Sequence, residues 1–588
     1  MRAAFIPILA ILAIWTSLAG AGQTTVESIS DEYQQALFER YPELGTSYGL
    51  PDARHDALYD NSLAAITKWQ QREDQWLQQL NTLGMPKDIG SRDWISFGIL
   101  HEELSNSVAT RICRSELWSA STTTAWYNDL PSVFEIQPVE TAEQRAQALT
   151  RLGAVAEYID TEIANLKLGL RSGYSAPRVS VEAVPAGVRG LLEDNTPFLS
   201  PGTRAKDAAF NKQVKKLFDR EIAPAIERFA DFLDREYLPK TRTEIALTGN
   251  KDGAACYPTL VRSFATVGPA ADKIHQLGLE QIAGIRSEMQ AIIDEHFPSE
   301  TIESLMKNLN AKPEYTFTSR DEVLDYALGS LEASKAAMTQ AFGTLPKADM
   351  LIKPYPAYRE ASGSGEYHSS SVDGTRPGIY YIAVVDPTHR SRAGQQSVLY
   401  HEGYPGHHLQ GAIALELGDR VHPLASYLWN SGFGEGWALY SERLASELGL
   451  YSGPLDKIGL LSDQAARAAR LVIDTGLHTK GWSREQAVNY MLANTAWAPV
   501  DVEYEINRYI SWPGQANSYM LGMLEIRRLR TLAEQRLGAS FDLRAFHDRV
   551  LGSGSITLPM LEGSINAWIV EQSRTLAQPA AESAGDQS

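Results

Sequence analysis

The chain has 588 residues, 44% hydrophobic and 21% charged, with a formal net charge of −18. That composition is ordinary for a globular protein and long enough for more than one core. The negative charge is scattered rather than blocked, so it repels nucleic acid and other polyanions and reads as solubility.

Arg2, the apolar run Phe5 to Leu18 and the small residues Ala19-Gly20-Ala21 predict a cleaved signal peptide over residues 1–21, with an uncleaved anchor as the alternative. Export to a periplasmic or extracellular location follows from that reading. No cysteine follows the run, which excludes a lipid-modified cysteine there. No later segment is apolar enough to span a membrane. Cys113 and Cys256 are the two cysteines; export permits a bridge between them, and two separate buried thiols are the alternative.

Residues 22–345 read as a helical region. Thr141 and Gln144 form a capping box, followed by Leu149, Leu152, Ala156, Ile159, Ile163 and Leu166 on one helical face. Phe210 to Tyr237 carries a similar stripe through Val214, Leu217, Phe218, Ile222, Ile226, Phe229 and Leu233, and Asp272 to Phe297 is a third, closed by Pro298. Residues 346–577 form a C-terminal region that packs with the first as one unit. Its texture opens with prolines and glycines between Pro346 and Gly378, read as turns. Ile379 to Val385 is the best strand, so a small sheet is expected there. Helices are expected on both sides of Pro405-Gly406, over Leu455 to Leu477, after the cap Ser483 and over Gln515 to Leu537. Residues 578–588 are small and polar, a disordered tail. The fold class is mainly α: a large helical fold with a deep cleft and a small β-sheet next to the active-site helix.

The chemistry concentrates in His401-Glu402-Gly403-Tyr404-Pro405-Gly406-His407-His408. A zinc hydrolase needs three protein ligands, one open position and a carboxylate base. The helical solution, H-E-x-x-H, sets its histidines at i and i+4. Here Pro405 stands where the second histidine is due. On a straight helix His407 lies about 240° around from His401, and His408 about 10 Å along the axis. Neither reaches a shared ion unless Pro405-Gly406 breaks the helix and re-aims the next turn of chain.

The eight-residue stretch resembles the signature of the bacterial family called domain of unknown function 885, grouped with gluzincin-type zinc metallopeptidases. The resemblance extends to Tyr41-Pro42, His275-Gln276-Leu277-Gly278-Leu279, Gly434-Glu435-Gly436-Trp437-Ala438-Leu439-Tyr440, Asp474-Thr475-Gly476-Leu477-His478, Arg508-Tyr509 and Pro513-Gly514-Gln515-Ala516. Gly406-His407 is similar to the Gly-His pair of H-E-x-G-H in thimet-oligopeptidase and carboxypeptidase-Taq enzymes, which favours His407 over His408. Glu435 to Glu442 is similar to the N-E-G-F-A-x-Y-x-E segment of aminopeptidase-N-type enzymes, whose first Glu binds zinc.

The resemblance implies a zinc-dependent peptidase acting on small peptides, with His401, His407 and Glu435 as metal ligands and Glu402 as general base. His408 and Glu442 are the alternate ligand or support. His478, Arg508, Tyr509 and Tyr519 are candidates for binding substrate or the transition state. A zinc amidase or esterase on a non-peptide substrate, and a catalytically silent peptide-binding protein, are the alternatives. Tyr380 and Tyr381 are considered for pairing an extended peptide at a sheet edge, against ordinary aromatic packing. Met520 departs from the family pattern, where a basic residue is expected after Ser518-Tyr519, so specificity is expected to differ there.

Overall fold

A computed structural model describes residues 24–50, 52–355, 365–371 and 376–577. The predicted signal peptide and tail, and parts of the turns between 356 and 375, lie outside the described residues. Helices dominate the rest, with one three-stranded sheet.

The elements that bear on the site are few. α1 (Ala142–Ser172), α2 (Ala208–Leu217) and α3 (Ala223–Phe232) form one helical layer. α4 (Gly253–Ala265) and α5 (Ala271–His296) follow. The sheet comprises β1 (Met350–Pro354), β2 (Glu366–His368) and β3 (Gly378–Ile382). Next come α6 (Gln395–Glu402), α7 (His407–Leu415), α8 (Ser431–Glu447) and α9 (Pro454–Thr479). α10 (Pro499–Ser511) and α11 (Ser518–Leu537) complete the set.

The N-terminal layer is built as its stripes require. Thr141 caps α1 by accepting from the Gln144 backbone, and the Gln144 side chain returns the bond. Leu152, Val155, Ile159 and Leu166 are buried against Val214, Ile222, Ile226 and Phe229. The stripe from Phe210 to Tyr237 is not one uniform α-helix. Phe218–Ile222 and Leu233–Tyr237 are wider, π-helical turns. Each such turn shifts the register of the face, and Leu217 becomes only partly buried while Leu233 and Tyr237 are buried.

A larger core joins residues as far apart in sequence as Trp94 and Ile569. At its centre α9 packs along α5, and α8 packs along α11. Cys113 and Cys256 are bridged, tying α4 to the turn that follows the helix Arg92–Thr110.

In the sheet, β3 is the middle strand: β1 pairs with it in parallel and β2 antiparallel. Tyr380 and Tyr381 therefore do not lie on an edge, and of the two readings considered for them aromatic packing is the one that holds. Tyr380 is buried, and Tyr381 stacks on Tyr355. The edge facing the cleft belongs to β2, whose Glu366, Tyr367 and His368 line it.

Candidate metal centre and its cleft

α6 stops at Glu402, with the Gly403 N–H bonded back to the Leu399 carbonyl. The chain then turns through Tyr404-Pro405, joined by a cis peptide bond, and α7 starts at His407. Gly406 lies so close to the end of α6 that a Cβ there would sit 1.9 Å from the His401 carbonyl oxygen; only glycine permits that approach. Trp437 of α8 fixes the turn from the other side, its indole N–H donating to the Pro405 carbonyl at 3.0 Å.

The break brings the rings of His401 and His407 to 4.9 Å, nearly perpendicular. Ligand atoms of His401, Glu402 and His407 all lie within 4.8 Å of one another. Glu435 stands on the first turns of α8, whose start is capped by Asn430. Its Oε2 is 3.5 Å from Nε2 of His401 and 3.5 Å from Nε2 of His407. One carboxylate oxygen thus faces both imidazoles.

Glu442, two turns beyond Glu435, lies behind His401. Its Oε1 is 2.8 Å from His401 Nδ1, and its Oε2 accepts from Gln464 of α9 at 2.8 Å. This contact orients the imidazole so that Nδ1 faces Glu442 and Nε2 faces Glu435. His408 points elsewhere: Nδ1 meets the Tyr367 hydroxyl at 2.8 Å, and Nε2 meets the Tyr404 hydroxyl at 3.0 Å and the Ala348 carbonyl at 3.2 Å. Between the two adjacent histidines, His407 joins His401, and His408 braces the sheet.

Electrostatics follow from this crowding of carboxylates and imidazoles in low dielectric. Burial pulls the His401 imidazole down, but Glu435 and Glu442 outweigh it and push it up to about 9. Burial alone would raise Glu435; the two imidazoles hold it well below the usual carboxylate range. Glu402 is raised by burial, only partly offset by His407 and His401. His408, desolvated, is pulled down to about 4 and is neutral. The cluster attracts positive charge at the point where Nε2, Nε2 and Oε2 converge.

The cluster opens onto a cavity of about 2740 Å³, lined among others by His401, Glu402, His407, Glu435, Arg508 and Tyr519. Small-molecule pockets are typically about 300–1,000 Å³, so this one has room for an extended chain. Tyr519, the second residue of α11, is half-buried, and its phenol is raised by burial first and by the Glu435 carboxylate next. Two helices meet closely at this point. A Cβ on Gly436 would lie 2.5 Å from the Gly522 backbone, and one on Gly522 would lie 1.8 Å from the Gly432 carbonyl oxygen.

Two of the expected substrate-binding residues are committed to the scaffold, and the reason is burial. His478 is fully buried, its Nδ1 accepting from the Leu247 N–H and its Nε2 donating to the Tyr509 carbonyl, both at 3.0 Å. Tyr509 is fully buried, and its hydroxyl is 2.8 Å from Arg470 Nε and 2.7 Å from Glu505 Oε2. Neither lines the cavity. Arg508 does, yet Glu505 and Gln515 occupy its guanidinium. Met520 is buried and faces the core.

Apart from His478, the sequence pattern did not single out α9 as a source of functional groups. Asp463, Gln464, Arg467, Arg470 and Asp474 are all buried on it. A signal was present in their spacing: Asp463, Arg467, Arg470, Asp474 and His478 succeed each other by four, three, four and four, an ionisable stripe along an otherwise apolar helix. Asp474 accepts from Tyr257 (2.5 Å), the Gly514 N–H and Asn517 (2.8 Å). It thereby anchors the turn that leads into Tyr519.

Fold and site together define a class: a mainly α-helical protein with a largely buried His–His–Glu cluster lining a large cavity. The chain belongs to the family of bacterial proteins of unknown function designated DUF885, whose model matches residues 42–565. It is similar to the crystal structure of a candidate lipoprotein from Colwellia psychrerythraea, with a TM-score of 0.85 and 26% identity, over 93% of this chain and 99% of that one. It shares its fold with a candidate lipoprotein of unknown function from Shewanella oneidensis (TM-score 0.74, 19% identity, 92% and 99% coverage). No curated protein matches the chain.

Proposed function

We propose that the protein is an exported zinc-dependent peptidase that hydrolyses small peptides. The observation that carries this reading is the convergence of two imidazole Nε2 atoms on one carboxylate oxygen, each 3.5 Å away, beside a second carboxylate, Glu402. In a tetrahedral zinc site with bonds near 2.0–2.1 Å, neighbouring ligand atoms are about 3.3–3.4 Å apart. The two distances from Glu435 Oε2 to His401 and His407 fit that spacing, and the Glu442 bond to His401 supplies the outer support such sites require.

When bound, zinc supplies the Lewis acidity that polarises the scissile carbonyl. The chain's own groups do the remainder. Glu402, raised by burial, is the base that takes the proton of the attacking water and passes it to the leaving amine. Tyr519, a half-buried hydroxyl on the same cavity wall as Glu435, donates to the developing oxyanion. The cavity's volume supports peptides over folded proteins. The signal-like N-terminus supports export, as do the structural neighbours described as candidate lipoproteins.

The test is digestion profiling of a mixed peptide library by mass spectrometry, with and without chelator, beside zinc quantification. Cleavage that chelation abolishes, with about one zinc per chain, is expected. Peptides retained without cleavage by a zinc-loaded protein would make it a binding protein instead.

A further inference from the structure

Part of the cavity wall comes from α9, α10 and α11, which contribute Arg470, Glu505, Arg508 and Tyr519. Two guanidinium groups share one carboxylate here. Arg508 donates Nε and Nη2 to the two oxygens of Glu505, at 3.0 and 2.8 Å, and Nη1 to Gln515 at 2.6 Å. Arg470 donates Nε to the Tyr509 hydroxyl at 2.8 Å and Nη2 to Glu505 at 3.0 Å. Its Nη1 is buried with no partner among the described residues, and the side chain is only 7% exposed.

A buried guanidinium nitrogen without an acceptor is costly. This one belongs to a group that lines the cavity and is held rigidly by two other bonds. Arg470 and Arg508 share the one carboxylate of Glu505, and Asp501 of α10 also lines the cavity. The neighbouring cation is matched separately, since Arg467 faces Asp463 at 3.6 Å and Glu442 at 3.9 Å. Arg470 also reaches toward the reactive end of the cavity: its guanidinium carbon is 4.4 Å from the ring centre of Tyr519, whose phenol feels the Glu435 carboxylate.

We infer that Arg470, oriented by Glu505 and Tyr509, is the specificity-determining residue that binds a carboxylate of the substrate, in the first place the free C-terminus of a peptide. The inference rests on the peptidase reading and deepens it: the enzyme removes residues from the C-terminal end. Arg508, the more obvious cation in the sequence, is the brace that holds Glu505. A planar guanidinium with an unpartnered Nη1 matches a carboxylate and has little use for a neutral amide.

The experiment uses the full zinc-loaded protein and three N-acylated peptides of one sequence. One ends in a free carboxylate, one in an amide, and one in an amide with aspartate as the last residue. The free acid is expected to exceed the amide by about 10–100-fold in kcat/KM, the range of a charge-assisted hydrogen bond, carried mainly by KM. In Arg470→Gln that ratio falls to about one, and Arg470→Lys recovers part of it. An unfolding curve and zinc content establish that each variant is folded, and the wild-type comparison stands without any variant. Recovery in the aspartate amide assigns the Arg470 site to a side-chain carboxylate. Equal cleavage of acid and amide by the wild type overturns the inference and leaves the peptidase reading intact. A zinc-loaded protein that cleaves none of the library peptides overturns the peptidase reading, and this inference with it.

Discussion

The layer of α1, α2 and α3 and the central helix α9 both pack into a core, yet with different proportions of apolar and charged groups. α1 buries Leu152, Val155 and Ile159 and leaves most of its charges outside, as in the exposed pair Arg228–Asp160, taking in Arg151 and most of Glu162. α9 is buried nearly all round and carries Asp463, Gln464, Arg467, Arg470 and Asp474 into the interior. The first arrangement stabilises by removing apolar surface from water. The second costs desolvation that pairing only partly offsets. A chain that buries that much charge in one helix gains position rather than stability, and what α9 positions is the support of His401 through Gln464 and Glu442, the Tyr519 turn through Asp474, and Arg470 itself.

The sharpest way to break this contrast is to remove a ligand. His401→Ala and Glu435→Ala are each expected to lose zinc and all measurable hydrolysis, read by metal analysis after gel filtration. Full zinc in both variants would sink the assignment. Next in size is Glu402→Gln, which keeps the metal and loses about 10²–10⁴-fold in kcat; turnover at the wild-type rate would remove Glu402 as base. Glu442→Gln, which alters only the outer support, is expected to weaken zinc affinity by about 10–100-fold, measured by competition with a chelator.

The other region answers to a different readout. Leu152→Ala leaves a cavity in the N-terminal layer and is expected to cost about 2–5 kcal/mol in denaturant unfolding, with kcat/KM of the folded protein unchanged. The smallest effect concerns Glu162, also on α1. Burial holds its carboxyl up to about 7, against the lowering bond from Asn61. Its folded pKa lies above the unfolded value of about 4.3, so the folded state binds more protons between those two pH values. Stability therefore falls as pH rises from about 4.3 to about 7 and is flat on either side. Glu162→Gln removes that fall: the variant matches wild type near pH 4 and exceeds it at pH 8, by at most about 4 kcal/mol. A pH-independent difference would show that Glu162 ionises freely.

How far all this was legible in the sequence depended on whether the governing interaction was local. The capping box at Thr141 is local and stands where the sequence sets it. Leu152, Ile159 and Leu166 of the α1 stripe are buried, while Leu149, Ala156 and Ile163 are only partly buried and Ala148 and Val155 take their place in the core. The helix break at Pro405-Gly406 was legible too, because the steric demands of those two residues are local. Which of His407 and His408 turns toward His401 depended on partners elsewhere: Trp437 on one side, and Tyr367 and Ala348 on the other. The same limit hid the fates of His478 and Tyr509, whose atoms are taken by backbone and side chains over 30 residues away. It also hid the middle position of β3, since strand order is a long-range property. The π-helical turns in Phe210 to Tyr237 escaped because a stripe read at constant period cannot register an inserted residue.

The crossing of α8 and α11 carries a last consequence. Gly432, Gly436 and Gly522 let two backbones touch, with Glu435 on one side of the contact and Tyr519 on the other. The distance between a carboxylate and a phenol is thus set by three residues that have no side chains. Alanine at Gly522 would reach no substrate atom and change no charge. It would still wedge the helices apart, and genetically it would be indistinguishable from a lesion of the candidate metal centre.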